Sequence, residues 1–69
     1  MDRENLVRVA TAYAAQQGRK IEEYEVSSIT EEDGNSYVFF NGKNGLPGQH
    51  FTVCVDLSTG QATRLIAGR

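Results

Sequence analysis

The chain has 69 residues, of which 39% are hydrophobic and 23% charged, a balance that is typical of folded proteins and excludes wholly disordered ones. This length leaves room for one domain with a thin core, because such a chain buries only about 60% of its unfolded surface. One Cys and one His exclude an internal disulfide and a zinc site built from several such side chains. The net charge of −2, without a run of cations, argues against nucleic acid as a partner.

The N-terminal segment predicts an amphipathic helix over about residues 3–17. Asp2 is a good N-cap, and Glu4 lies in the first turn, where the helix dipole favours a negative charge. Gly18 can adopt the left-handed conformation that ends a helix. The apolar residues recur at spacings of three and four: Leu6, Val9, Ala10, Tyr13 and Ala14.

Residues 20–32 predict a first strand, although its apolar residues do not keep one parity. Tyr24 and Val26 point to one side of a regular strand, whereas Ile29 falls on the other. We therefore expect a bulge or another irregularity near one end of this strand. Asp33 and Gly34 follow as a dipeptide typical of two-residue hairpin turns, in which both positions must tolerate positive φ.

Residues 36–41 predict a second strand that is apolar on both faces. Val38 and Phe40 point one way, and Tyr37 and Phe39 point the other. Such a strand lies inside a sheet with both sides covered, or it contributes to a contact surface. The segment 41–48 after it is rich in Gly and Asn and predicts a loop, with Leu46 at its tip as a candidate contact residue.

Residues 49–57 have the clearest period-two pattern, with Phe51, Val53, Val55 and Leu57 on one side. A turn at Ser58, Thr59 and Gly60 then leads to a last strand over 61–66. The sequence therefore predicts an α+β fold in which one N-terminal helix packs on a four-stranded antiparallel β-meander. The helix should cover the side of Phe51 and Val53.

The other side of this sheet is the predicted interaction surface, because it is too apolar to be purely solvated. It carries Tyr37, Phe39, His50, Thr52 and Cys54. The favoured function is a non-catalytic protein-binding module that uses this surface, with a homodimer as one form of it.

His50, Cys54 and Asp56 could suggest nucleophilic catalysis, but their spacing argues against it. Residues four apart on one strand are separated by about 13 Å, whereas a nucleophile and its base need about 3 Å. We predict no catalytic residue, no metal and no cofactor. An enzyme whose site joins two subunits through Cys54 or His50 is a third alternative.

Six acidic residues lie between positions 22 and 33 without an intervening cation. They could decorate a solvated edge strand, since charge protects an edge from pairing with other chains. The alternative function is an inhibitor or immunity-like protein in which Glu22, Glu23 and Glu25 dock on a basic enzyme surface.

No stretch approaches the roughly 20 apolar residues of a membrane-spanning helix. Charges interrupt the N-terminal segment before a signal-peptide core could form. We therefore expect a cytoplasmic chain with no membrane partner, and the lone Cys suits a reducing compartment.

The segment FTVCVDLSTGQATRL, after a helix and two strands, resembles the end of PepSY-type domains through Val55, Asp56, Thr59 and Gly60. Small bacterial inhibitor and immunity proteins have a similar outline. The resemblance implies a non-catalytic role, since PepSY domains are associated with restraining peptidases, usually outside the cytoplasm. The expected lack of a leader departs from that pattern and argues against the peptidase link, and no functional residue carries over.

Overall fold

The computed structural model describes residues 1–44 and 49–68. One helix and four strands form the fold, and the sheet is antiparallel throughout with the order β1-β2-β3-β4. The predicted α+β class, with an N-terminal helix on a β-meander, is confirmed. The elements are α1 (Arg3–Gln16), a 3-10 turn (Ile21–Glu23), β1 (Tyr24–Glu32), β2 (Asn35–Gly42), β3 (His50–Asp56) and β4 (Gln61–Ala67).

The helix begins and ends where its capping residues require. The Asn5 backbone N–H donates to the Asp2 side chain over 2.8 Å, so one of the unpaired amides of the first turn is satisfied. Gln17 has already left helical backbone geometry, and Gly18 follows with φ +88°. The helix therefore ends at Gln16, one residue before the predicted end.

The first strand differs from the prediction in its start and in its regularity. Its predicted first residues form a 3-10 turn instead, in which the Glu23 N–H donates to the Lys20 carbonyl over 2.8 Å. The expected irregularity is confirmed, but it lies inside the strand, between Val26 and Ser28. Because Ser27 is an extra residue there, Ile29 returns to the same side as Val26.

The hairpin turn after β1 is confirmed, since Asp33 and Gly34 have φ +54° and +81°. Strand β2 extends one residue beyond the predicted segment at each end, whereas β3 lies one residue inside it at each end. Strand β4 ends one residue later than predicted. Leu46 and the second half of its predicted loop, residues 45–48, lie outside the described residues.

The core lies between α1 and one face of the sheet. Phe51, which is fully buried, is stacked on Phe40 with ring centroids 4.7 Å apart, and the Tyr24 ring edge packs on it at 4.9 Å. The Arg19 guanidinium lies 5.0 Å from the Phe51 centroid, a favourable cation–π distance. The remaining buried apolar residues of this cluster are Leu6, Ala10, Ala14, Val38, Val53 and Val55.

We expect Phe51→Ala to lower the free energy of unfolding by about 3–5 kcal/mol, because it removes a large side chain that its neighbours cannot replace. That is a large share of the roughly 3–10 kcal/mol expected for a chain of this length. Urea denaturation followed by circular dichroism measures the loss. The matched control is Phe39→Ala, at a half-buried position of the opposite face, which should lose less than half as much. Equal losses would contradict the assignment of the core.

Candidate interaction surface

The sheet has one face that the helix does not cover, which we call the open face. Backbone pairing places one residue of each strand in each of four parallel rows across it. In the order β1 to β4, one outer row consists of Glu25, Asn41, His50 and Gly68, the residue directly after β4. The other outer row consists of Glu32, Asn35, Asp56 and Gln61. Between them, one central row consists of Ser28, Phe39, Thr52 and Ile66. The other central row consists of Thr30, Tyr37, Cys54 and Arg64.

Each of the five strand residues predicted for the interaction surface lies on the open face. Tyr37, Phe39, Thr52 and His50 are half-buried there. Cys54 is only 3% exposed. It is a small side chain between Tyr37 and Arg64 in the same row, and larger neighbours shield it.

His50 packs at one end of the open face. Its ring centroid lies 5.7 Å from that of Phe39. On its other side it approaches Gly68 so closely that a side chain at position 68 would collide with the His50 ring and carbonyl oxygen. His50 and Cys54 are two rows apart, about 13 Å at the rise of a strand, so a single chain does not bring them together.

Sequence reasoning missed the contribution of the two edge strands to the open face. A bulge in β4 leaves Thr63 as an extra residue, and its hydroxyl donates to the Cys54 carbonyl over 3.3 Å. The bulge turns Arg64 and Ile66 outward, and Ile66 is 39% exposed. The corresponding bulge in β1 places Ser28 on the same face. Only the strand pairing reveals these positions, because each bulge changes the parity of the residues after it.

The acidic residues of the alternative prediction do not form one surface with the open face. Glu22 and Glu23 lie in the 3-10 turn, and only Glu25 lies on the strand, in an outer row of the open face. All three side chains are exposed.

Within residues 1–44 and 49–68, no group of three or more His, Cys, Asp or Glu side chains could hold a metal ion. No helix in those ranges is long and apolar enough to cross a membrane.

Comparison with family models, curated proteins and solved structures gives no match for this chain. The PepSY resemblance therefore stays a prediction that depends on four residues near the turn between β3 and β4.

That turn is organised by Asp56. The Ser58 hydroxyl donates to the Asp56 carboxylate over 2.7 Å, and the Ser58 backbone N–H donates to the same oxygen over 2.9 Å. These hydrogen bonds favour the charged form and lower the pKa of Asp56 below its ordinary value. The Gly60 N–H donates to the Asp56 carbonyl over 2.8 Å, which closes the turn.

Because the pKa of Asp56 is lower in the folded chain than in the unfolded chain, its ionised form stabilises the fold above the ordinary aspartate pKa. That stabilisation is lost as the pH falls through the lowered value. We expect Asp56→Asn to be less stable than the parent at neutral pH, with a difference that shrinks towards the most acidic conditions. Thermal unfolding between pH 2 and pH 7, about the range in which a carboxyl titrates, measures the effect. Ser58→Ala should show the same trend, and a difference that does not change with pH would contradict the role of the charge.

Proposed function

We propose that this chain is a non-catalytic protein-binding module that binds its partner through the open face. The observation that carries the proposal is the arrangement of apolar and polar side chains across that face. The large apolar side chains Tyr37, Phe39 and Ile66 all lie in the two central rows, where short side chains separate them and Arg64 lies at the β4 edge, whereas the outer rows are polar or charged apart from Gly68. An apolar centre inside a polar rim is the usual anatomy of a protein–protein interface.

The composition of the face supports a protein rather than a small-molecule ligand. Small molecules bind in concave sites, but the central rows lie along the surface of a sheet. Tyr and Phe are enriched in protein interfaces because each offers a large contact area with few rotatable bonds. The exposed Ile66 side chain extends this apolar area to the edge strand β4.

An ordinary solvated face is the competing interpretation, since antiparallel sheets often have one face in water. Such a face carries polar side chains in alternation with the buried ones. Strand β3 fits that description with Thr52, but β2 does not, because it presents Tyr37 and Phe39 in succession. Two adjacent half-buried aromatic side chains favour a contact surface.

The alternative function, an inhibitor or immunity-like protein that docks through its acidic residues, stays a prediction. Its carboxylates at Glu22, Glu23 and Glu25 are exposed, as docking requires. Reversing all three charges should abolish binding if they carry the contact, whereas the open-face proposal predicts that the apolar contact remains.

Site-specific photocrosslinking in the native host tests the proposal. With benzoylphenylalanine in place of Phe39, we expect a covalent adduct to a protein, because this position lies in the centre of the open face. The matched control has the same residue at Ala12, an exposed position of the helix, and should give no such adduct. An absence of protein adducts at Phe39, or the same adducts at both positions, would overturn the proposal.

A further inference from the structure

We infer that the occupant of the open face is a second copy of this chain, related by a twofold axis that runs parallel to the strands. This inference rests on the proposed function and adds the identity and orientation of the partner. Sheets that pack face to face with aligned strands lie about 10 Å apart. Aligned packing allows two twofold arrangements, with the axis parallel or perpendicular to the strands, and the side chains distinguish between them.

The first observation is an alternation of side-chain size across the central rows. In both rows β1 presents a small residue, β2 an aromatic one, β3 a small one and β4 a long one. A twofold axis parallel to the strands keeps the rows and reverses the order of the strands. It therefore places Phe39 over Thr52 and Tyr37 over Cys54 of the second copy.

The edge strands follow the same rule in this arrangement. Ile66 lies over Ser28, and Arg64 lies over Thr30. Every large side chain of the central rows thus faces a small one, which is the condition for two surfaces to interdigitate without voids. A C2 interface must be self-complementary, because the same patch is used on both copies, and the alternation meets that requirement.

The second observation is the distribution of charge on the open face. Its β1 edge carries Glu25 and Glu32, and its β4 edge carries Arg64. Reversing the order of the strands places β1 over β4, so Arg64 approaches the edge of the second copy that holds the two acids. Glu32 lies one row from the position facing Arg64, about 7 Å along the strand, which two long side chains can bridge. By symmetry this contact occurs twice.

The arrangement with a perpendicular axis has the opposite consequences. It places each strand over its own counterpart, so Phe39 faces Tyr37 and the small residues face one another across a gap. It also opposes Glu25 and Glu32 twice, and like charges in an interface are unfavourable. It would gain a contact between His50 and the Asp56 carboxylate oxygen that Ser58 does not use, but this contact lies in the outer rows and leaves the gap between the central rows unfilled.

The size of the face agrees with a reversible dimer. Four strands at about 4.8 Å and seven residues at about 3.4 Å give roughly 450 Å² per copy, or about 900 Å² in total. This area lies near the lower limit of specific interfaces, which transient complexes occupy. The dimer should therefore form and dissociate within a concentration range that sedimentation can cover.

Charge exchange between two variants tests the inference. In Arg64→Glu both contacts become acid facing acid, and in Glu32→Arg both become cation facing cation. We expect each variant alone to dimerise about tenfold or more weakly than the parent, because two rim contacts change from attraction to repulsion. An equimolar mixture should recover the dimer, since one chain then carries both acids and the other both cations. Sedimentation velocity from about 1 μM to 1 mM measures all of these samples.

Two matched controls identify effects of net charge alone. Glu31→Arg changes the neighbouring residue of β1, which points to the other side of the sheet, and Arg3→Glu changes an exposed helix residue. Both should dimerise like the parent. Added salt should reduce the difference between the parent and Arg64→Glu, because exposed charges are screened.

A parent chain that stays monomeric up to about 1 mM, or a mixture that fails to recover the dimer, would overturn the inference. Loss of the dimer in either control would overturn it as well. These outcomes differ from a failure of the proposed function. A monomeric parent whose Phe39 position crosslinks to a different protein leaves the open face as a binding surface and removes only the second copy.

Discussion

A single helix of 14 residues has to cover a sheet of four strands, and the rest of the structure depends on this limit. A helix with its side chains is about 10–12 Å wide, whereas four strands span about 19 Å. The helix lies on one side of the sheet, so it leaves the other face uncovered and covers only part of its own. It packs at short range because Ala10 and Ala14, both fully buried, present small side chains to the sheet. The aromatic residues Phe40 and Phe51 stack on each other in the same core.

The same limit explains why the two faces of β2 differ so much in burial although both are apolar. Val38 and Phe40 point to the helix and are buried, whereas Tyr37 and Phe39 point away from it and stay half-buried. Neighbouring strands supply part of the cover on the open face, as the His50 ring does for Phe39. That cover is incomplete in the two central rows of the open face, which form the centre of the proposed contact surface. Apolar surface in a small chain is thus concentrated where a partner could remove it from water.

The parts of the fold that the sequence predicts are those with local causes. Asp33 and Gly34 form a turn because both tolerate positive φ, and the period of two in β2 and β3 identifies which side chains share a face. The β1 bulge is indicated in the sequence only by the change of parity between Val26 and Ile29, and the β4 bulge is not indicated at all, because the position of an extra residue is recognised only against the strand with which it pairs. For this reason the β2 and β3 residues of the open face could be predicted, whereas Ser28, Arg64 and Ile66 could not. The predicted start of β1 was wrong for a related reason. The 3-10 turn before this strand is held to a distant segment, because the Lys43 N–H donates to the Glu23 carbonyl over 2.9 Å.

Those two bulges also determine whether the open face can match a copy of itself. They place Ser28 and Thr30 on β1 and Arg64 and Ile66 on β4 in the two central rows, so small and large side chains alternate across these two rows. When the second copy has its strand order reversed, each strand with large side chains lies over one with small side chains only if the number of strands is even. In a sheet of five alternating strands, the same reversal would place large side chains over large ones and small side chains over small ones. The even number of strands therefore meets, in the two central rows, the condition on side-chain size that the proposed pairing about an axis along the strands requires.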